Sequence, residues 1–275
     1  MPLEFSSSDE LAFQEAFRCL ADPSWGDKLM RLADRPVEAL WARLPAGMRQ
    51  RISAATERAL STAAKAALWS LASEGTVHPW SEFWHKAAVA ATGAAAGLVG
   101  LEALLVELPL STTIMLRSIA DIAKAQGEAL EDPDTALNVV QVLALGDVGI
   151  LDYLALRRAW AAELRAAALY LGRRAGADTA APVVARVVAR VASRYQVQVG
   201  ELAAAEVIPV VGAVSGGLLN WLFLEHFQSK ATGHFIIRRL ERTYGREYVA
   251  DRIQSAAKAH GLTWHPAGGD SASDA

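Results

Sequence analysis

The alternation of apolar and polar positions along this chain follows a helical period almost throughout. Two apolar, glycine-punctuated stretches stand out from it. Residues 87–115 carry only two charges, Glu102 and Glu107, and residues 207–224 carry none. Each stretch holds a glycine pair at four-residue spacing, Gly93/Gly97 and Gly212/Gly216, and a proline, Pro109 or Pro209. Ahead of them, Ser7 with Glu10 three residues on reads as a capping box that opens a first helix to about Leu20. Asp22-Pro23, Pro36 and Pro45 each look like helix starts, the last opening a long helix to about Ala72. Leu108-Pro109 should bend the first apolar stretch into a helical hairpin whose second arm ends at Gly127. Further helices are predicted from Asp132-Pro133 to Gly146, over 148–171 and over 179–205. Pro209 then opens the second apolar helix, Gly233 interrupts it, and helices at 234–244 and 246–260 close the pattern.

The fold class this predicts is all-α, a single multi-helix bundle built around the two apolar segments. Short helices occupy 1–44, the main helical domain runs over 45–262, and 263–275 form a disordered tail. Composition agrees. Hydrophobic residues make up 52 % of the 275, with alanine, the best helix former, in excess. A chain of this length can bury a large core without disulfides. The one cysteine, Cys19, excludes a disulfide framework and suits a reducing compartment. The opening MPLEFSSSDE has neither a basic nor an apolar leader region, so a cytoplasmic location without a signal peptide is expected.

The apolar stretches read better as packed core than as membrane spans. The 18 residues of 207–224 make a helix of about 27 Å, short of a hydrocarbon layer of roughly 30 Å. They are bracketed by Glu206 and Glu225, with no lysine or arginine within five residues as an anchor. In the first stretch, Glu102 would sit near the midplane at a cost of about 2.5–3.5 kcal/mol. An integral helical membrane protein is therefore an alternative rather than the main reading.

A net charge of −3 gives no pull toward nucleic acid. It is unevenly spread, however. Between Arg157 and Arg194 eight arginines face only Glu163 and Asp178. Arg186, Arg190 and Arg194 recur every four residues opposite a valine face, an amphipathic pattern suited to an anionic membrane surface or a membrane-protein partner.

Candidate chemistry is sparse. No phosphate-binding loop is present, and Gly212-Ala-Val-Ser215-Gly216 misplaces the serine of a nucleophile elbow. Glu82-Phe-Trp-His85 has the carboxylate–imidazole spacing of di-iron bundles, which need two copies where this chain has one. Glu206, Glu225, His226 and His234 could form a metal site only if the chain turns at Gly233, since on a straight helix the histidines stand about 12 Å apart. Polar groups set among apolar helices, namely Glu107, Arg117, Asp121, Glu206, Glu225, His226 and His234, are the candidate site residues. Arg117 and Asp121 pair at i, i+4. No cofactor is indicated.

Two long segments, TIMLRSIADIAKAQGEALEDPDTALNVVQVLALG and IPVVGAVSGGLLNWLFLEHFQSKATGHFIIRRLERTYG, resemble the EcsC family over roughly residues 87–245. These are bacterial proteins named for the third product of an operon encoding an ABC transporter. The resemblance implies a helical protein without an established activity, associated by name with membrane transport. Some similar sequences are labelled peptidases, but the family supplies no catalytic residues to carry over. The expectation is a non-enzymatic membrane- or transporter-associated accessory protein, with a metal-dependent, peptidase-like hydrolase built on the Glu/His set as the alternative.

Overall fold

The structure is a computed structural model that describes residues 4–23, 27, 42, 44–69, 101–146, 148–173, 181–206 and 216–262, with 63–69, 101–107, 205–206 and 216–220 described by backbone alone. Among these residues there are eight helices and no strand: α1 Ser7–Ala21, α2 Ala46–Trp69, α3 Leu101–Ala125, α4 Pro133–Val142, α5 Ile150–Arg173, α6 Pro182–Glu206, α7 Gly216–Tyr244 and α8 Arg246–Ala259. The fold is the expected all-α bundle.

Helix α7 organises it. At 29 residues it is about 43 Å long, and it packs against α1, α3, α4, α6 and α8. Helix α2 lies against α3 and α6, while α5 is flanked by α4, α6 and α8. One contiguous core draws on every layer, with Phe13, Ile52, Ile119, Leu137, Tyr153, Tyr195, Phe227 and Ile253 all buried within it. The first helix thus shares the core of the helices that follow.

Several boundaries follow the local chemistry read from the sequence. Asp132 caps α4, its side chain accepting from the Asp134 amide at 2.9 Å, with Pro133 as the first helical residue. Gly127 ends α3 at φ +77°, where the Glu128 and Gly127 amides bond back to the Ala123 and Lys124 carbonyls in the Schellman pattern. Gly245, at φ +89°, separates α7 from α8.

Four expectations are corrected. The cap of α1 is Ser6, not Ser7: its hydroxyl accepts from the Asp9 amide at 3.1 Å, because Asp9 is itself held by Arg239 and Tyr244 from α7. Asp22 ends α1, and Pro23 is not the first residue of a helix.

Pro109 lies inside α3, so no hairpin turns there. An interior proline costs about 3 kcal/mol. Leu108, Met115, Leu116 and Ile119 are nonetheless buried along the same helix, at roughly 1.5–3 kcal/mol each, and Pro109 itself is turned outward. The Thr112 and Thr113 hydroxyls bond the Leu108 and Pro109 carbonyls at 2.8 Å.

Gly233 does not interrupt α7. A β-carbon there would lie 2.7 Å from Leu20 Cγ, 3.0 Å from the Ala16 carbonyl oxygen and 3.1 Å from Cys19 Cβ, so this glycine exists to let α1 approach α7.

Residues 87–100 and 207–215, which contain about half of the two apolar stretches, lie outside the described residues, as do Pro209, Pro36 and the tail beyond Leu262. Among the described residues no helix is long and apolar enough to cross a membrane.

The close approach at Gly233 sets a test by sign. Alanine is the better helix former by about 1 kcal/mol, but overpacking against a backbone carbonyl costs about 1–3 kcal/mol. Gly233→Ala is expected to lower stability in urea denaturation, by roughly 1 kcal/mol once the helix-propensity gain is subtracted from the overpacking cost. A neutral or stabilised variant would contradict the packing.

Candidate functional site

Five residues of α7 at four-residue intervals, His226, Lys230, His234, Arg238 and Arg242, form a polar stripe along a helix otherwise packed in apolar core. Each four-residue step advances about 6 Å and drifts about 40° around the axis. The stripe therefore meets a different neighbour at each level.

At the first level His226 Nε2 bonds the Gly146 carbonyl at 2.7 Å. A β-carbon at residue 146 would stand 2.8 Å from the amide end of the Gln198 side chain of α6, which would have to shift to admit one. One turn on, the buried Lys230 ammonium donates to three carbonyls, Leu20 at 3.1 Å, Asp22 at 3.0 Å and Val148 at 3.3 Å, joining the end of α1 to the start of α5.

At the third level His234 Nδ1 and the Tyr153 hydroxyl are 3.1 Å apart, both side chains fully buried, and Nε2 has no hydrogen-bond partner among the described residues. Burial, reinforced by the Arg157 and Arg238 charges, holds the His234 pKa well below 6.5, so the ring is neutral. Burial also pushes the Tyr153 phenol up to about 12, against the lowering effect of Arg157 stacked over its ring at 5.4 Å. Arg157 in turn makes a two-pronged bond to Glu241 at 2.6 and 2.8 Å.

The last level is a carboxylate clamp. Glu128 accepts from Arg238 at 2.9 and 3.0 Å, from Thr135 at 3.0 Å and from Arg242, while Arg238 also reaches Asp134 at 2.9 Å. Burial opposes ionisation of Glu128, but the bonds and charges of Arg238, Thr135 and Arg242 outweigh it and hold its pKa below the usual value.

Beside this clamp, α4, α5, the end of α7 and the start of α8 enclose a cleft of about 210 Å³. Arg157 and Arg238 lie in its wall, already neutralised by Glu241, Glu128 and Asp134. Arg158, Arg165 and Arg246 also line it, and none of the three has an ion-pair partner among the described residues. Gln141, 1 % exposed, lines it with an amide nitrogen that has no hydrogen-bond partner.

The residues singled out from sequence are scattered in this arrangement. Arg117 and Asp121 pair on the surface at 3.3 Å, the weak i, i+4 contact their spacing suggests. Glu107 and Glu206 lie in α3 and α6 with side chains outside the description, and Glu225 is exposed. His226 and His234 ride one unbroken helix, which separates them by about 12 Å and removes the convergence at Gly233 that a shared metal would need. Among the described residues no group of three or more histidine, cysteine or acidic side chains is placed to hold a metal, while Glu82 and His85 lie outside them.

The three arginines of the α6 face sit in different surroundings. Arg190 pairs with Glu163 at 2.9 Å and stacks on Trp160, and Arg194 donates to the Ala144 carbonyl at 3.0 Å, because α5 and the end of α4 offer partners within reach. Arg186 stays exposed. Sequence reasoning missed Lys230, Arg238, Glu128, Arg157, Glu241, Tyr153 and Gln141. Only the four-residue spacing from His226 to Arg242 could have signalled part of this set.

Neutral His234 gives a pH test. The unfolded chain takes up a proton near pH 6.5 that the folded ring refuses, so stability is full above that value and falls below it, by about 1.4 kcal/mol per pH unit for one proton. Asp9, lowered first by its bond from Tyr244, and Glu128 extend the loss below their ordinary values of 3.8 and 4.5. Urea midpoints of His234→Leu are expected to fall less steeply than wild type between about pH 6.5 and 5. Parallel profiles would contradict a neutral buried His234.

The model of the EcsC protein family matches residues 25–240, taking in the polar stripe from His226 to Arg238, the cleft wall from α4 and α5, and a lead-in that precedes the resembling segments. No curated protein and no solved structure matches the chain. With most of its length covered by that one match, the chain belongs to the EcsC protein family.

Proposed function

We propose that this chain is a non-enzymatic accessory protein that docks on an anionic membrane surface through the basic face of α5 and α6. The supporting observation is a set of exposed arginines, Arg158, Arg165 and Arg173 on α5 and Arg186 on α6, without ion-pair partners among the described residues. Leu169, 55 % exposed, lies among them. Arg190 touches Trp160 and Glu163 while Arg194 reaches back to Ala144 ahead of α5, so α6 runs antiparallel to α5 and Arg186 falls near the turn that carries Arg165 and Leu169.

Each arginine near an anionic leaflet contributes about 1 kcal/mol, and an apolar side chain among them can enter the headgroup boundary. Tyr153 and His234, whose proton affinities burial shifts, are enclosed in the core rather than presented at this face.

Co-sedimentation with phosphatidylcholine vesicles, with and without phosphatidylserine, tests the reading. Binding is expected only with the anionic lipid, weakening with salt, and the double variant Arg173→Glu/Arg186→Glu should lower partitioning by about tenfold or more. Equal binding by that variant, or none by wild type, would sink the proposal.

A further inference from the structure

We infer that the cleft between α4, α5 and α8 is a binding site for a phosphate ester, an assignment that does not rest on the docking proposal. Three independent features converge there. Arg158, Arg165 and Arg246 bring guanidinium groups from two helices to one opening, against Glu247 as the single lining carboxylate without an ion-pair partner among the described residues. Guanidinium groups match phosphate oxygens in pairs of parallel hydrogen bonds.

Arg246 and Glu247 also begin α8, a helix of 14 residues whose N-cap is Gly245 and whose first amides receive no side-chain cap. An uncapped amino end carries the positive end of the helix dipole and donors that suit an anion. Glu247 offsets part of that charge from an exposed position.

The third feature points inward. The Gln141 amide nitrogen is buried in the wall without an acceptor, although a buried donor left unpaired costs about 1–3 kcal/mol. The wall of the cleft thus contains a donor, unpaired among the described residues, that a ligand oxygen could satisfy. Asn138 next to it is already committed, donating to the Asp134 carbonyl at 2.7 Å. The space of about 210 Å³ is some seven times the roughly 30 Å³ that one water occupies in the liquid, enough for a phosphate and part of its ester group.

The same phosphate chemistry occurs on a soluble ester and on a lipid headgroup, so the test uses both. Calorimetric titration with glycerol 3-phosphate at fixed ionic strength is paired with co-sedimentation on phosphatidylcholine vesicles holding phosphatidic acid, or phosphatidylserine at equal charge. Saturable binding of glycerol 3-phosphate, weakened about tenfold by Gln141→Met and by Arg246→Ala, supports the site with a free ester as ligand. Indifference to the free ester, with a preference for phosphatidic acid that Gln141→Met abolishes, supports it with a lipid as ligand. No preference for either, or binding unchanged in both variants, overturns it.

Gln141→Met removes an unpaired buried amide and should melt at or above the wild-type temperature, so lost binding cannot be put down to misfolding. Arg173→Glu/Arg186→Glu lies outside the cleft and should keep its affinity for glycerol 3-phosphate even where it loses phosphatidylserine vesicles, which separates this site from the docking face.

Discussion

The carboxyl ends of helices leave carbonyl groups without intrahelical donors, and in this bundle those of α1, α3 and α4 lie within reach of donors on neighbouring helices. Side chains from the long helices meet that demand. Lys230 takes the Leu20 and Asp22 carbonyls at the end of α1 together with Val148, and His226 takes Gly146. Arg194 takes Ala144 past the end of α4, and Arg242 takes Gln126 at 2.7 Å past the end of α3. Cationic donors facing the negative ends of helix dipoles gain from the dipole as well as from the bond. The remainder of the fold depends on this arrangement, because it fixes where α1, α3 and α4 stop and how they meet α7.

The ion pairs further along α7 play a different part. A buried pair such as Arg157–Glu241 is not a large net stabiliser, since desolvation offsets most of the attraction, but removing one partner costs about 3–5 kcal/mol. The consequence is specificity. Glu128, held by Arg238, Arg242 and Thr135, accepts only one arrangement of α4 against α7 and the turn after α3. The same clamp occupies Arg238 and Asp134 in the cleft wall, which leaves Arg158, Arg165 and Arg246 as the arginines there free to meet a ligand. Anchoring and ligand capacity thus lie side by side on one helix end.

What the sequence made legible was local. The all-α class, the Asp132-Pro133 start and the Gly127 stop rest on residues within a turn of one another, and the structure keeps them. Readings failed where a distant partner decided. Ser6 displaced Ser7 as the cap because Asp9 is held from α7, and Pro109 continued a helix because its neighbours are core. Gly233 looked like a break but serves the approach of α1. The candidate site was legible only as isolated histidines and an arginine period. Its working contacts join residues 80 to 210 positions apart, such as His226 with Gly146 and Lys230 with Leu20, and no spacing rule reaches that far. Gln141 is harder still, since an unpaired buried amide is visible only once its surroundings are built.

The central claim is that α7 holds its neighbours through side chains bound to backbone carbonyls at their ends, with Lys230 joining the end of α1 to the start of α5. Residue-resolved hydrogen exchange of Lys230→Met against wild type under native conditions tests it most directly. The account predicts that protection falls together in α1, up to Ala21, and at the start of α5 around Val148, while the paired faces of α5 and α6 keep theirs. Loss confined to α7 itself, or spread evenly over every helix, would contradict it.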